Sequence, residues 1–276
     1  MQQATGPTAR IIALRPFWEW RFEVSHAATV TVRLQTGTAE RDGTELALNQ
    51  PYRFTGTKSK LLTWSGCTLE VTGPCEDYVA EAATPDETPM VSYLNLHFEL
   101  QKRRGVRGPR VLICGPSSSG KTSLAKTLVA YSTKMGGQPL LASLDPREGM
   151  LSLPGTLSAA VFGTIMDLED PEGGIGVGDT PSSGPSAIPV KLPLVYYMGK
   201  ETAEEDVPLW KELAARLGSA VKRKLVDDAA VRSAGLIIDS PAVDVGTNGL
   251  EILTHAVREF GGRLRSEQCM CLDSPG

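Results

Sequence analysis

Gly115-Pro-Ser-Ser-Ser-Gly-Lys-Thr122 is the stretch that decides the fold, because it fits the pattern G-x-x-x-x-G-K-S/T at every fixed position. The apolar run Val111-Leu-Ile-Cys114 stands before it, and the helix-forming run Thr122-Ser-Leu-Ala-Lys-Thr-Leu-Val-Ala-Tyr131 continues from it. A buried strand, a glycine-rich turn and a helix in this order are what a phosphate-binding loop requires. The sequence therefore predicts a P-loop domain that binds a nucleoside triphosphate.

Each fixed position of this loop has a chemical reason. Gly115 and Gly120 allow backbone angles and a close approach that a Cβ atom would block. Backbone N–H groups then bind phosphate oxygens, the Lys121 ammonium reaches the β- and γ-phosphates, and the Thr122 hydroxyl is placed on Mg²⁺. We therefore expect ATP and Mg²⁺ as cofactors, with the phosphates held by Ser118, Ser119, Gly120, Lys121, Thr122 and Ser123.

Two aspartates follow predicted strands and are candidates for the second half of the site. Asp239 ends Leu236-Ile-Ile-Asp239, a Walker-B-like pattern, and would hold Mg²⁺ directly or through water. Asp145 follows the strand after the loop helix and would serve as a metal contact or a general base. Either carboxylate would instead cap a helix or bond a turn, and the sequence leaves both alternatives open. An Asn/Thr-Lys-x-Asp motif that reads guanine is absent from the sequence, which favours ATP over GTP.

The second half of the chain alternates between strand and helix patterns. This alternation predicts an α/β P-loop NTPase domain with a parallel sheet over residues 110–276. The Gly-, Ser- and Pro-rich segment 167–191 predicts a mobile surface loop. Residues 269–272 are the remaining candidate for the strand that should follow the last helix. The predicted strands cover 111–114, 139–144, 192–198 and 235–239, and the predicted helices cover 122–131, 207–225 and 249–260.

The first half of the chain has a different pattern. Short alternating runs separated by turn-forming residues predict a small all-β, sandwich-like domain over residues 1–90. A helix over 91–102 and a basic linker to residue 109 then lead into the P-loop domain. The predicted strands of the β domain cover 20–24, 28–34, 52–54, 60–64 and 68–71.

Composition excludes several classes of protein. The 276 residues are 41% hydrophobic and 22% charged, with a net charge of −4, which argues against a protein that coats nucleic acid by bulk charge. The sequence contains no apolar run of about 18 residues, so we expect no transmembrane helix. Five cysteines without a framework spacing favour a reducing compartment.

Three short motifs before the loop resemble a known family. Gly37-Thr-Ala-Glu40, Gly43-Thr-Glu-Leu46 and Trp64-Ser-Gly-Cys67 are similar to the polynucleotide-kinase-like subunit of the pre-mRNA cleavage and polyadenylation machinery, in its fungal cleavage factor IA form. The likeness runs from about Trp18 to Leu272. The resemblance implies an N-terminal β domain, a central P-loop domain and a C-terminal β domain. Since family members continue well past Gly276, we expect a C-terminally truncated chain whose P-loop domain is incomplete at its end.

The resemblance also implies roles that the residues alone would not suggest. Glu19 and Lys58 fall on the adenine-side ATP contacts of the family. Some members phosphorylate RNA 5′-hydroxyl ends, whereas fungal members keep ATP without this chemistry. Here Glu148 replaces a Gln of the kinase-type members, and Val243 replaces an aromatic side chain that stacks on a base.

We therefore expect a non-catalytic ATP-binding subunit that bridges partner proteins in the 3′-end cleavage complex. The alternative is an active RNA 5′-hydroxyl kinase that uses Lys121 and Asp145, so the enzyme question stays open. The resemblance implies a nuclear protein without membrane contact. Its expected partners are the scaffold subunit that binds the RNA polymerase II C-terminal tail and other 3′-end processing subunits, whereas direct contact with pre-mRNA is left open.

Overall fold

The computed structural model describes residues 9–164, 166–169, 193–243, 247–261 and 269–271. These residues form two compact units. The first contains residues 9–94 and 166–169, and the second contains the remaining described residues. Within the described residues, no helix combines the length and the apolar character needed to cross a membrane.

The first unit is a β-sandwich, as the sequence predicted. One sheet has the strand order β1-β8-β3-β6 and the other the order β5-β4-β7-β2-β9. Paired strands run antiparallel in both sheets. The strands are β1 (Arg10–Leu14), β2 (Glu19–Val24), β3 (Val30–Gly37), β4 (Glu40–Arg41), β5 (Thr44–Glu45), β6 (Pro51–Phe54), β7 (Thr57–Leu62), β8 (Cys67–Thr72) and β9 (Glu76–Ala80).

Alternation along the strands builds the core of this unit. In β2, Trp20, Phe22 and Val24 are buried in the core, because successive side chains of a strand point to opposite faces. Leu168 joins the same core from outside the predicted boundary of 1–90. The Arg41 guanidinium donates to the Leu168 carbonyl at 2.7 Å, which fixes the segment 166–169 to this unit.

The second unit contains a six-stranded sheet with the order β13-β12-β11-β14-β10-β15. A 3₁₀ turn at Pro85–Glu87 lies in the first unit, and a helix continues the chain from that unit into the second. Another 3₁₀ turn covers Ala203–Asp206, and a π-helical turn covers Val257–Gly261. The strands and helices are α1 (Pro89–Lys102), β10 (Arg110–Cys114), α2 (Lys121–Lys134), β11 (Leu140–Ser143), β12 (Thr156–Val161), β13 (Leu194–Tyr197), α3 (Val207–Asp227), α4 (Ala229–Ala234), β14 (Leu236–Asp239), α5 (Thr247–Ala256) and β15 (Cys269–Cys271).

The predicted α/β P-loop fold is confirmed, and its sheet is mixed. β11, β14, β10 and β15 run parallel, whereas β12 and β13 run antiparallel to their neighbours. The reason is that a loop without a helix joins β11 to β12, and parallel neighbours need a longer crossover. Most of the loop predicted over 167–191 lies outside the described residues.

Helix α3 closes one face of this sheet. Its first turn is capped by Asp206, whose carboxylate accepts the Leu209 N–H. Trp210 and Leu217 are fully buried against the sheet in the main core cluster. The Trp210 indole N–H donates to the Leu144 carbonyl at 3.0 Å, one residue before Asp145. The core of the unit therefore supports the edge of the sheet that carries the candidate site.

We expect Trp210→Phe to lower the free energy of unfolding by about 1–3 kcal/mol, because the Leu144 carbonyl would lose a buried donor. Trp210→Ala should cost about 3–5 kcal/mol through the cavity it leaves. Urea denaturation measures both values, and Leu250→Ala on the exposed face of α5 serves as the control, with a change within about 0.5 kcal/mol. A Phe variant as stable as the parent would show that the indole hydrogen bond contributes nothing.

Candidate nucleotide-binding site

The P-loop lies where the sequence placed it, between the end of β10 and the start of α2. Gly120 caps α2 in the left-handed region with φ 86°, and Ser118 adopts φ 60°. A positive φ in a non-glycine residue is uncommon and stores strain, which is typical of functional sites. Such a turn before a helix directs successive N–H groups into a concavity that binds anions.

Side chains of the loop converge on one backbone carbonyl. The Ser119 hydroxyl donates to the Pro116 carbonyl at 2.9 Å, and the Lys121 ammonium donates to the same oxygen at 3.0 Å. Lys121 is buried. Ser123 lies in the first turn of α2, where its carbonyl accepts the Thr127 hydroxyl at 2.8 Å. The loop therefore combines a positive charge with the positive end of a helix dipole, which is an anion-binding arrangement.

Asp239 lies beneath this loop as the last residue of the neighbouring strand β14. The Thr122 hydroxyl donates to its Oδ2 atom at 2.8 Å. Burial raises the pKa of Asp239 to about 7, with Asp145 and Glu148 adding to this and Thr122 and Lys121 opposing it. Oδ1 is buried and has no hydrogen-bond partner among the described residues. A buried carboxylate oxygen without a partner calls for an explanation, and a cation or its water is one.

These residues fit a magnesium ion. Mg²⁺ prefers oxygen ligands and is commonly held by one or two protein groups together with nucleotide phosphates and water. The Thr122 hydroxyl and the Asp239 carboxylate are oxygen donors of this kind. Within the part of the chain that the structure describes, no group of three or more His, Cys, Asp or Glu side chains forms a metal site. A magnesium site in which nucleotide phosphates supply part of the ligands does not need a cluster of three such side chains.

Asp145 follows β11, the strand on the other side of β14. Its Oδ1 atom accepts the Arg147 N–H at 3.0 Å, and its Oδ2 atom accepts the Ala242 N–H at 3.0 Å. The residue is buried. The carboxylate therefore joins the loop after β11 to the loop after β14, and its roles as a metal contact or a general base stay predictions.

Three further residues border the site. Arg147 is exposed, and its Nη1 atom lies 3.5 Å from the Ser117 hydroxyl, so the structure places a second cation beside the loop. Sequence reasoning missed it, although Asp145-Pro-Arg147 puts a cation two residues after a candidate acid. Glu148 is exposed and close enough to raise the pKa of Asp239. Val243 is half-buried and packs against the core, so it offers no stacking surface for a base.

Glu19 lies in the first unit and is buried, although it sits opposite the core-facing side chains of β2. Its carboxylate accepts from Lys60 at 2.8 Å and from Arg21 at 2.8 Å. Burial alone would raise the pKa of Glu19, but Lys60 and Arg21 outweigh this and hold the pKa below its ordinary value. Glu19 is therefore a charged carboxylate at neutral pH, fixed by two cations.

Lys58 lies on the same face of the sheet but does not contact Glu19. The register pairs Lys58 with Glu23 and Lys60 with Arg21. The Lys58 ammonium is 3.2 Å from the Glu23 carboxylate, and its side chain is 82% exposed. Lys60 was missed by sequence reasoning, because only the register of β2 against β7 shows which lysine reaches Glu19.

Two family models match the two halves of the chain. The N-terminal beta-sandwich domain of polyadenylation factor matches residues 13–106. The mRNA cleavage and polyadenylation factor CLP1 P-loop matches residues 115–263. The chain belongs to the CLP1 family. This confirms the resemblance that the motifs before the P-loop indicated.

Similar proteins of the CLP1 family occur in filamentous fungi. The mRNA cleavage and polyadenylation factor CLP1 of Chaetomium globosum is 53% identical, over 95% of this chain and 61% of its own length. The factor of the same name from Neurospora crassa is 50% identical, over 94% of this chain and 62% of its own length. The chain thus spans about three fifths of these curated relatives.

Solved structures of the CLP1 family share the fold. A wild-type Clp1p–Pcf11p complex matches with a TM-score of 0.85 and 27% identity, over 97% of this chain and 67% of that one. A second structure, which concerns an extended Pcf11p–Clp1p interface and ATP loss in a point mutant, also gives a TM-score of 0.85. The N-terminal β-sandwich and the P-loop domain are therefore confirmed as the family fold.

We expect Asp239→Asn to raise the free energy of unfolding of the nucleotide-free protein at about pH 8 by roughly 1–3 kcal/mol. The raised pKa means that folding is favoured with Asp239 protonated, so stability falls as pH rises from about 4 to about 7. The Asn variant lacks this dependence, and the gain should shrink toward acidic pH. Thermal melts with a chelator across this pH range measure the difference.

The exposed carboxylate of Asp227 at the end of α3 provides the control for this change. Asp227→Asn should alter stability by less than about 0.5 kcal/mol. If Asp239→Asn is less stable than the parent at alkaline pH, the buried carboxylate is stabilising as an anion and its assignment as a metal-holding group loses its support.

We expect Lys60→Met to lower the free energy of unfolding at neutral pH by about 1–3 kcal/mol, because buried Glu19 would keep only Arg21 as a partner. Lys58→Met, a matched exposed change on the same strand, should cost less than about 0.5 kcal/mol. Because the pKa of Glu19 is depressed, the Lys60 contribution is complete above about pH 4.5 and is lost below it. Denaturation at neutral and acidic pH measures both variants, and equal losses would contradict the assignment.

Proposed function

We propose that this chain binds ATP with Mg²⁺ and holds it without transferring phosphate, as a subunit of the nuclear pre-mRNA 3′-end cleavage machinery. The proposal that the loop binds phosphate rests on the strained turn at Ser118 and Gly120 and on the buried cation Lys121. A strained turn before a helix and a buried cation are both typical of loops that bind phosphate. Ser119, Thr122 and Ser123 complete the set of proposed phosphate contacts.

Thr122 and Asp239 are the residues that would hold the magnesium ion. A bound Mg²⁺ neutralises phosphate charge and favours a negatively charged Asp239. Thr122 orients the carboxylate through its hydroxyl, and Lys121 adds a positive charge close by. Arg147 is a further proposed phosphate contact, since its guanidinium already lies against the loop.

The observation that carries the non-catalytic part of the proposal is the bonding of Asp145. A general base needs a free lone pair that points at the attacking hydroxyl. Each oxygen of Asp145 already uses one lone pair to accept a backbone N–H group, so the bonds that hold the two loops together restrict the directions from which the carboxylate can accept a proton. Val243 packs in the core and leaves no aromatic clamp for an RNA base, and Glu148 adds negative charge where a kinase would approach a phosphate.

Glu19 and Lys58 remain proposed adenine contacts, on the strength of the family resemblance. The structure adds Lys60 as the residue that positions Glu19. The Lys58 ammonium is exposed, and its ion pair with Glu23 is exposed as well. Exposed ion pairs contribute little free energy, so Lys58 would lose little stability by binding a ligand instead.

The partner part of the proposal comes from the relatives. Both matched solved structures concern Clp1p together with Pcf11p. We infer that this chain binds the corresponding scaffold subunit, the one that also binds the RNA polymerase II C-terminal tail, and thereby bridges 3′-end processing subunits in the nucleus. Contact with pre-mRNA would then be indirect.

The expected result for the purified protein is bound, unhydrolysed ATP. Chromatography of an acid extract detects it, and incubation with labelled ATP and a 5′-hydroxyl oligoribonucleotide should transfer no label. Lys121→Ala should lower ATP affinity by about 10- to 100-fold, because a charge-assisted contact is removed. Lys134→Ala, an exposed change at the far end of the same helix, is the matched control and should keep affinity within about twofold.

Rapid label transfer that is lost in both Lys121→Ala and Asp145→Asn would establish the alternative, an RNA 5′-hydroxyl kinase. Absence of both bound ATP and ATP affinity would overturn the nucleotide-binding function. The assay is run in parallel on the longer Chaetomium globosum relative, so that a lack of transfer is attributed to the site rather than to chain length.

A further inference from the structure

A groove lies at the opposite end of the sheet from the P-loop, and the nucleotide proposal does not use it. It has a volume of about 1160 Å³ and is open to solvent at the amino-terminal ends of β10 and β14. We call it the basal groove. Helix α1, the loop before β10 and the end of α3 form its walls, to which Leu100, Arg103, Val106, Arg107, Lys222 and Val226 contribute.

The basal groove is strongly cationic. Five cationic side chains and one carboxylate line it, the cations being Arg103, Arg107, Arg110, Lys222 and Arg232. The one carboxylate, Glu99, is already paired with Lys102 at 2.6 Å. Burial lowers the pKa of the Arg110 guanidinium, and the nearby positive charge of Arg107 lowers it further. Like charges held this close create a site that favours an anion.

Three of these cations already have partners within the fold. The Lys222 ammonium lies 3.4 Å from the Glu259 carboxylate. The Arg232 guanidinium donates to the carbonyls of Leu225 and Val226 at the end of α3, and Arg110 donates to the Phe260 carbonyl. Arg103 and Arg107, by contrast, are exposed and form no ion pair with any residue of the described ranges. They are therefore the cations that a ligand can engage at little cost.

The groove is also preformed. The Gly108 N–H donates to the Arg232 carbonyl at 2.8 Å, and the Leu236 N–H donates to the Pro109 carbonyl at 2.9 Å. A Cβ atom on Gly108 would lie 2.4 Å from the Ser233 carbonyl, so only glycine permits this close approach. A rigid wall reduces the entropy lost when a ligand binds.

Exposed apolar side chains stand between the charges. Val106 is 85% exposed and Val226 is 72% exposed, and both line the groove. Among the described residues of its lining, none is aromatic. Recognition of single-stranded nucleic acid relies on aromatic stacking as well as positive charge. Apolar contacts flanked by guanidinium groups instead suit a peptide with both carboxylates and aliphatic side chains.

We propose that the basal groove binds an acidic segment of a partner protein, with its carboxylates on Arg103 and Arg107 and its aliphatic side chains on Val106 and Val226. This goes beyond nucleotide binding and does not depend on it. The groove lies at the amino-terminal ends of the strands, whereas the P-loop follows the carboxyl end of β10.

The test uses the whole chain and a fluorescent peptide in which Asp and Glu alternate with Leu. Fluorescence anisotropy should show saturable binding that weakens as salt is raised, since exposed charges are screened. The double variant Arg103→Glu/Arg107→Glu should weaken binding by at least about tenfold, because like charges would then face each other. Val226→Asp should also weaken it.

Matched controls separate the groove from general charge and from the nucleotide site. Arg223→Glu reverses an exposed cation of α3 that does not line the groove, and it should change affinity by less than about twofold. Lys121→Ala should leave peptide binding unchanged even though it weakens ATP binding. Thermal melts check that each variant is folded. We expect the groove variants and Arg223→Glu to fold, because their altered side chains are exposed.

Four outcomes would overturn the proposal. The first is equal weakening by Arg223→Glu and by the groove variant. The second is equal affinity for a peptide with Asn and Gln in place of its acids. The third is tight binding of oligouridine that the double variant abolishes, which would make the basal groove a nucleic-acid site. Absence of saturable peptide binding would likewise exclude it.

Discussion

The hydrogen bond from Thr122 to Asp239 is the interaction on which the candidate site depends. It joins the first turn of α2 to the end of the central strand β14, so the loop and the acid cannot move independently. The carboxylate is fully buried and one of its oxygens has no partner among the described residues. Buried polar atoms without a partner are rare in protein interiors, and each calls for an explanation. The P-loop domain therefore carries a destabilising buried group at the position that we propose for the cation.

Asp145 shows the opposite use of a buried carboxylate. Each of its oxygens accepts a backbone N–H group, and the carboxylate thereby joins two loops of the site. A P-loop is commonly taken as a sign of phosphate transfer, yet loop, cation and metal ligand suffice for binding alone. In the function that we propose, the surroundings of Asp145, Glu148 and Val243 account for retention of the nucleotide without transfer.

The sequence predicted the P-loop, both aspartates and the α/β fold because each depends on local order along the chain. β10, the P-loop and α2 follow one another along the chain, and their residue types require the order strand, turn and helix. Strands β1, β4, β5, β9 and β12 were missed, since these segments form strands only through pairing that their own residue types do not reveal. For the same reason Lys60 was missed: only cross-strand register separates it from Lys58. Glu19 and Lys58 were predicted as adenine contacts from the family resemblance, because their residue types alone do not indicate this role.

The segment 166–169 has a consequence for how the chain becomes folded. The first unit is discontinuous, because Leu168 completes its core after the chain has already passed through β10, α2, β11 and β12. During synthesis the sandwich cannot finish packing when its last strand leaves the ribosome, and it waits for about 90 more residues to appear. A fragment cut after the sandwich would lack both this side chain and the Leu168 carbonyl that Arg41 binds. The two units are thus coupled in the order of their folding, by chain connectivity itself.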